Sequence, residues 1–226
     1  MQSYFSDQLT IALSPERLNA YKDRITSNGQ LNLFSHCAWN IALSESLYPS
    51  LQTLEIALRN TIHVSASTYF KRDDWFNDAS IIHNHYNINA ITKAKNTLQR
   101  KQKSLDSGRI IAELNFGFWT SLFDSRFEQV LWHKIIKTTF PHMPKTYRTR
   151  QNLSQRFNKI RNLRNRVFHH EPIWYWQDLQ QQHKDILSAL RWISPEMSDL
   201  VMTVDRFDVV YNNSFEKIKT QLRTFC

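Results

Sequence analysis

Glycine and proline are scarce, with three and six copies in 226 residues. An all-β chain needs turn residues about every ten positions, so this scarcity argues against sandwiches and barrels and for helices. Gly29, Gly108 and Gly117 are scattered, which excludes the phosphate loop of a P-loop enzyme and the glycine fingerprint of a dinucleotide-binding fold. Cysteine is rarer still. Cys37 and Cys226 stand far apart at no metal-ligand spacing and are expected to be free thiols in a reducing compartment. No apolar run approaches the roughly 18 residues of a membrane span, and "MQSYFSDQLT" lacks the regions of a signal peptide. The terminal cysteine is also misplaced for prenylation. These absences lead to the expectation of a cytoplasmic protein that does not meet the membrane. Nucleophile elbows and paired carboxylates at a working spacing are missing too.

What is present is apolar mass and a polarised charge. Hydrophobic residues make up 41% of the chain, aromatics 13%, and there are seven tryptophans, enough to build a core. The net charge of +9 is unevenly placed: residues 91–170 carry seventeen Lys and Arg against four Asp and Glu, whereas both flanks are slightly acidic. Such a block attracts polyphosphates, because neutralising a nucleic-acid backbone releases condensed counterions.

Helical periodicity recurs along the whole chain, and the expectation is a single all-α domain, 1–226, of eight to ten helices. Ser14 and Pro15 open a helix through "LSPERLNAYKDRI". A second runs through "LNLFSHCAWNIALSESLY" and is expected to stop near Pro49. A third is expected to start from a Ser50 cap and to place Leu51, Leu54, Leu58, Ile62 and Ser65 on one face. The segment "KRDDWFNDASIIHNHYN" reads as loop or short turns, followed by a basic helix near 87–104. Gly117 inside "SGRIIAELNFGFWTSLF" suggests a close helix approach or a kink. "RFEQVLWHKIIKTTF" closes at Pro141, and a basic loop covers 141–150. The longest helix is expected over about 150–171, ended by Pro172. A C-terminal helical extension, about 177–226, restarts at Ser194-Pro195 and ends in a helix near 205–223.

The end of that longest helix, "RNLRNRVFHHEPIW", concentrates the chain's most reactive chemistry. At about 100° per residue, Phe157, Ile160, Leu163 and Val167 face the core. Arg161, Arg164, Asn165 and His169 project from one polar flank, and His170 falls beside the apolar edge. Both histidines lie near a helix C-terminus, which stabilises imidazolium, so either is expected to serve as acid as well as base. A neutral histidine can take the proton of a ribose 2′-OH while an arginine fork holds the phosphate, a mechanism that requires no metal. An arginine followed by histidine at this range also occurs as Arg126 with His133. Only the two pairs from Arg164 have a polar residue directly after the arginine.

The segment "LRNRVFHHEPIW" resembles the Arg-polar-x3–5-His signature of the HEPN superfamily, and more closely the Abi-like proteins of bacterial abortive infection. "LEIALRNTIH" at 54–63, "AELNFGFWTSLF" at 112–123 and "LWHKIIKTTFP" at 131–141 resemble that family's blocks in the same order. The resemblance covers roughly residues 30–175. It implies a HEPN-type helical bundle, dimeric, in which two signature helices form a composite, metal-independent RNA-cleaving site without a cofactor. It matches the arginine to Arg164, the polar residue to Asn165 and the histidine to His169, with His170 as alternative. It also implies a toxin-like endoribonuclease in phage defence, with RNA as substrate and an antitoxin RNA or protein as a further partner.

Arg161, Glu171, Arg59 and Asn60 are supporting candidates. Arg59 and Asn60 repeat the Arg-Asn pair, with His63 at i+4, and read either as pocket lining or as a polar packing cluster. Glu171 and Trp174 either orient a histidine or close the helix end. The "HNHY" at 83–86 places its histidines on opposite sides of a helix, a poor metal site. Trp119 and its neighbouring phenylalanines read as core. Two other functions fit the residues: a non-catalytic RNA- or nucleotide-binding module of the same type, and a structural scaffold for protein interaction.

Overall fold

A computed structural model describes residues 2–25 and 29–225. Among them, every regular element is helical. Eleven α-helices run in the order α1 Gln2–Leu13, α2 Pro15–Lys22, α3 Gln30–Phe70, α4 His85–Arg100, α5 Ser107–Glu113, α6 Phe116–Ser121, α7 His133–Thr139, α8 Arg150–Phe168, α9 Leu179–Ile193, α10 Pro195–Met202 and α11 Phe207–Arg223. Short 3-10 turns lie at Trp75–Asn77, Ser125–Phe127 and Lys145–Tyr147, and a π turn at Glu128–Trp132 leads into α7.

Two helix starts follow from capping chemistry. Ser14 accepts a hydrogen bond from the Arg17 backbone N–H with Pro15 at the first position of α2, and Ser194 accepts one from Met197 ahead of Pro195 in α10. Both use a side-chain oxygen to satisfy an orphaned donor.

Pro49 does not end a helix. It lies inside the 41-residue α3, so the expected break and Ser50 cap are both corrected. Pro49 cannot donate to the carbonyl of Glu45, but Glu45 is exposed, so water can take that acceptor. The residues around the proline favour continuity: Leu47 and Leu51 are buried, and the Ser46 and Ser50 hydroxyls donate to the carbonyls of Leu43 and Leu47. α3 is therefore the longest helix, in place of α8.

Further differences are local. α1 carries no start signal and is an addition to the expected elements. The segment around Gly117 forms two helices, because Asn115 leaves the helical path and accepts from the Phe118 N–H as the cap of α6. A Cβ at Gly117 would lie 2.9 Å from the Tyr86 hydroxyl, so the close approach expected of this glycine is present.

The described chain divides into two compact units. The first comprises Met1–Ser50, Leu163–Lys184 and Val204–Cys226. Its core gathers Leu18, Tyr21, Leu33, Phe34 and Cys37, with Trp174 and Leu222 packed against them. The second comprises Leu51–Asn162 and Asp185–Thr203. Its centre is an aromatic stack in which Phe123 lies 4.5 Å from Trp132 and 4.7 Å from Phe157, nearly parallel to both. Each such pair adds about 0.5–1.5 kcal/mol beyond area burial. Trp119 and Phe118 are fully enclosed in this unit, as core residues rather than a stacking platform.

Candidate functional site

The apolar spacing of α8 sets its orientation. Phe157, Ile160, Leu163 and Val167 are all buried, which fixes the opposite flank as the accessible one. On that flank Asn165 is exposed and Arg161 and Arg164 are half-buried. The guanidinium of Arg164 stacks over the Phe168 ring at 4.2 Å.

α8 ends at Phe168, three residues before its expected limit. The His169 N–H still reaches the Asn165 carbonyl at 2.8 Å, so His169 stays in helical register one turn beyond Asn165. His170 then takes a left-handed φ of 58°. Its N–H bonds Val167 O at 3.1 Å, and the Glu171 N–H bonds Arg166 O at 2.8 Å. These two bonds are those of a Schellman motif, which normally puts glycine at the left-handed position. Histidine is among the residues enriched in that conformation. Pro172 follows the reversal instead of causing it. His170 is thus exposed and off the helix, which corrects its expected place beside the apolar edge.

Three hydrogen bonds from distant residues of the same unit hold the turn. The Arg17 guanidinium donates to the His170 carbonyl. Asn40, buried in α3, donates to the Glu171 carbonyl at 3.3 Å and accepts from the Ile173 N–H at 2.7 Å. The Glu171 carboxylate pairs with Arg166 at 2.8 Å. Trp174 packs on His36 with ring centroids 4.2 Å apart. Sequence reasoning missed Arg17 and Asn40, and no local signal could have found them, since they act from 131 or more positions away.

The remaining candidates lie in the second unit. Arg59 Nε donates to the side-chain oxygen of its neighbour Asn60 at 3.1 Å. His63 faces inward, where its Nδ1 accepts from the Trp75 indole at 3.2 Å, and burial pushes its imidazole below the ordinary range. Many cations of the basic block meet acids, among them Arg150 with Glu128 at 3.1 Å and Arg156 with Asp185 at 2.9 Å. Arg156 also stacks on Trp192 at 4.4 Å, and the Tyr147 ring lies 6.4 Å from the same indole.

Among the described residues, no group of three or more His, Cys, Asp or Glu is placed to hold a metal ion. His83 and His85 are both exposed, with Asn84 capping α4 between them. Cys37 is a buried free thiol, while Cys226 lies outside the described residues. Among those described, no helix is long and apolar enough to cross a membrane. The comparisons add no relative: no family model, curated protein or solved structure matches this chain.

Proposed function

We propose that this chain is a metal-independent endoribonuclease of HEPN type that acts as a toxin-like effector in abortive-infection phage defence. The observation that carries the reading is the register at the end of α8. The bond from His169 N–H to Asn165 O keeps the histidine one turn from the asparagine, next to an arginine steadied by an aromatic ring.

In this reading His169, neutral, takes the proton from a ribose 2′-OH. The oxygen attacks the adjacent phosphorus, the 5′-oxygen leaves with a proton returned by the protonated histidine or by water, and a 2′,3′-cyclic phosphate remains. Arg164 holds the non-bridging oxygens as negative charge builds on them. Asn165 orients the histidine or adds a hydrogen bond to the phosphate, and His170 is the nearest substitute proton carrier. A second copy of the chain would bring an equivalent helix end to form a composite site. The cations of 91–170 would follow the RNA backbone, and the aromatic and arginine cluster at Tyr147, Arg156 and Trp192 offers surfaces on which unpaired bases can stack.

The test is cleavage of total cellular RNA and tRNA by purified protein in EDTA, with His169→Ala beside wild type. Fragments ending in 2′,3′-cyclic phosphate from wild type alone are expected. RNA held tightly in a salt-dependent way without new ends would make the chain a binding module instead. Weak binding that ignores salt would make it a scaffold.

A further inference from the structure

A pocket of about 280 Å³ opens in the first unit between α1, α2 and α3, bordered by the turn at His170. An apolar cavity of about 150 Å³ accepts benzene, so this one has room for a body of about a dozen non-hydrogen atoms. Ala12, Leu13, Leu18 and Ile41 give it aliphatic walls.

Its polar groups come from Arg17, Tyr21, Cys37, Asn40, Ser44 and His170. Among the described residues of the lining, Arg17 is the one that is permanently charged, and none is an acid. Burial holds the Tyr21 phenol up at about 12 and the Cys37 thiol up at about 11, with Arg17 opposing the rise at both. Both groups therefore stay protonated at neutral pH, and neither supplies a counter-charge. Ser44, in the middle of α3, has a buried hydroxyl oxygen with no hydrogen-bond partner. A serine inside a helix ordinarily bonds back to the preceding turn, and a buried hydrogen bond left unmade is destabilising.

We infer that this pocket binds a small amphipathic anion: an apolar body of about a dozen non-hydrogen atoms whose carboxylate meets Arg17 and whose body lies against the aliphatic walls, with Ser44 available to a polar atom of the ligand. The cationic mouth sets the sign of the ligand, the walls set its apolar character and the volume sets its size. Arginine has five donors, so Arg17 can hold a carboxylate while it still donates to the His170 carbonyl. A ligand here therefore bears on the backbone of the histidine turn. The site stands on the pocket's own chemistry and is independent of RNA cleavage.

Isothermal titration of the full chain with two probes of this class, indole-3-acetate and decanoate, tests it. At least one is expected to bind with a Kd of about 10–100 μM. The neutral counterpart, indole-3-acetamide or decanol, is expected to bind at least ten-fold more weakly. Arg17→Gln should cause a loss of the same size for the acid alone. Ala12→Trp, at an exposed position of the lining, should abolish binding of acid and neutral forms, with its melting curve confirming the fold. Failure of both acids to bind wild type would overturn the inference. So would equal affinity for acid and neutral forms, or binding indifferent to Ala12→Trp.

Discussion

The guanidinium of Arg164 lies 4.2 Å from the centroid of the Phe168 ring, one helical turn further along α8. The ring is itself 5.9 Å from that of Tyr48, so the arginine stands over one member of an aromatic pair. Lysine preserves the charge but neither the fork nor the stacking. Arg164→Lys is therefore expected to lower single-turnover cleavage of a labelled RNA by about a hundred-fold, while the urea midpoint barely moves. Phe168→Leu, which removes the ring beneath the guanidinium together with its contact to Tyr48, is expected to cost about three- to ten-fold. Full activity in Arg164→Lys would remove this arginine from the site.

The doubled histidine can be resolved by substitutions that respect the backbone. Asparagine tolerates the left-handed conformation, so His170→Asn keeps the turn and is expected to cleave within about three-fold of wild type. His169→Asn is expected to be inactive with an unchanged melting temperature, because an amide cannot carry the proton. The opposite pattern would transfer the role to His170.

Three further histidines, His183, His36 and His63, should make stability depend on pH. Burial pushes His183 below the ordinary imidazole range, against the opposing pull of Asp205, whose carboxylate lies 2.9 Å from its Nε2. His183 also stacks on Phe207, and Asp208 and Lys184 act on it with opposite signs. Burial lowers His36 and His63 in the same way. The unfolded chain binds protons at these sites first, so their contribution is fully present above the ordinary value of about 6.5 and is lost as pH falls below it. The slope can reach about 1.4 kcal/mol per pH unit for each histidine. Urea unfolding between pH 7.5 and 5 is expected to show the fall, and His183→Gln to flatten it. A stability that rises on acidification would contradict neutral burial.

Pro49 has a measurable effect on stability. A proline inside a helix costs about 3 kcal/mol relative to alanine, and the stiffness it lends the unfolded chain returns less than 1 kcal/mol of that. Pro49→Ala is accordingly expected to stabilise the protein by about 2 kcal/mol, read as a higher urea midpoint at constant slope. An unchanged or lower midpoint would mean that the packing around residues 46–51 is fitted to the proline.

The sequence reveals elements wherever the signal is local. The Ser-Pro pairs at 14–15 and 194–195 open α2 and α10 where their capping chemistry predicts. It misleads where tertiary packing outweighs a local rule, as at Pro49, where buried leucines on either side keep α3 whole. It says little where a cap competes with periodicity: the Asn115 cap that separates α5 from α6 lies inside a largely apolar segment. At the candidate site, the burial of Leu163 and Val167, and with it the polar flank of Arg164 and Asn165, follows from spacing alone. The left-handed residue does not, because histidine is an unusual choice for it.

The bonds that frame the histidine turn run from side chains to backbone. Arg17 meets the carbonyl of His170, and Asn40 meets the carbonyl of Glu171 and the N–H of Ile173. Every amino acid supplies that carbonyl, and all but proline supply that N–H. Drift at 171 can therefore rewrite the chemistry displayed by the turn without breaking its frame, and 170 can change among residues that tolerate a left-handed backbone, whereas drift at 17 or 40 breaks the frame. In diverging copies of this gene, the two framing positions should be the slow ones and the turn they hold the place where new specificities are tried.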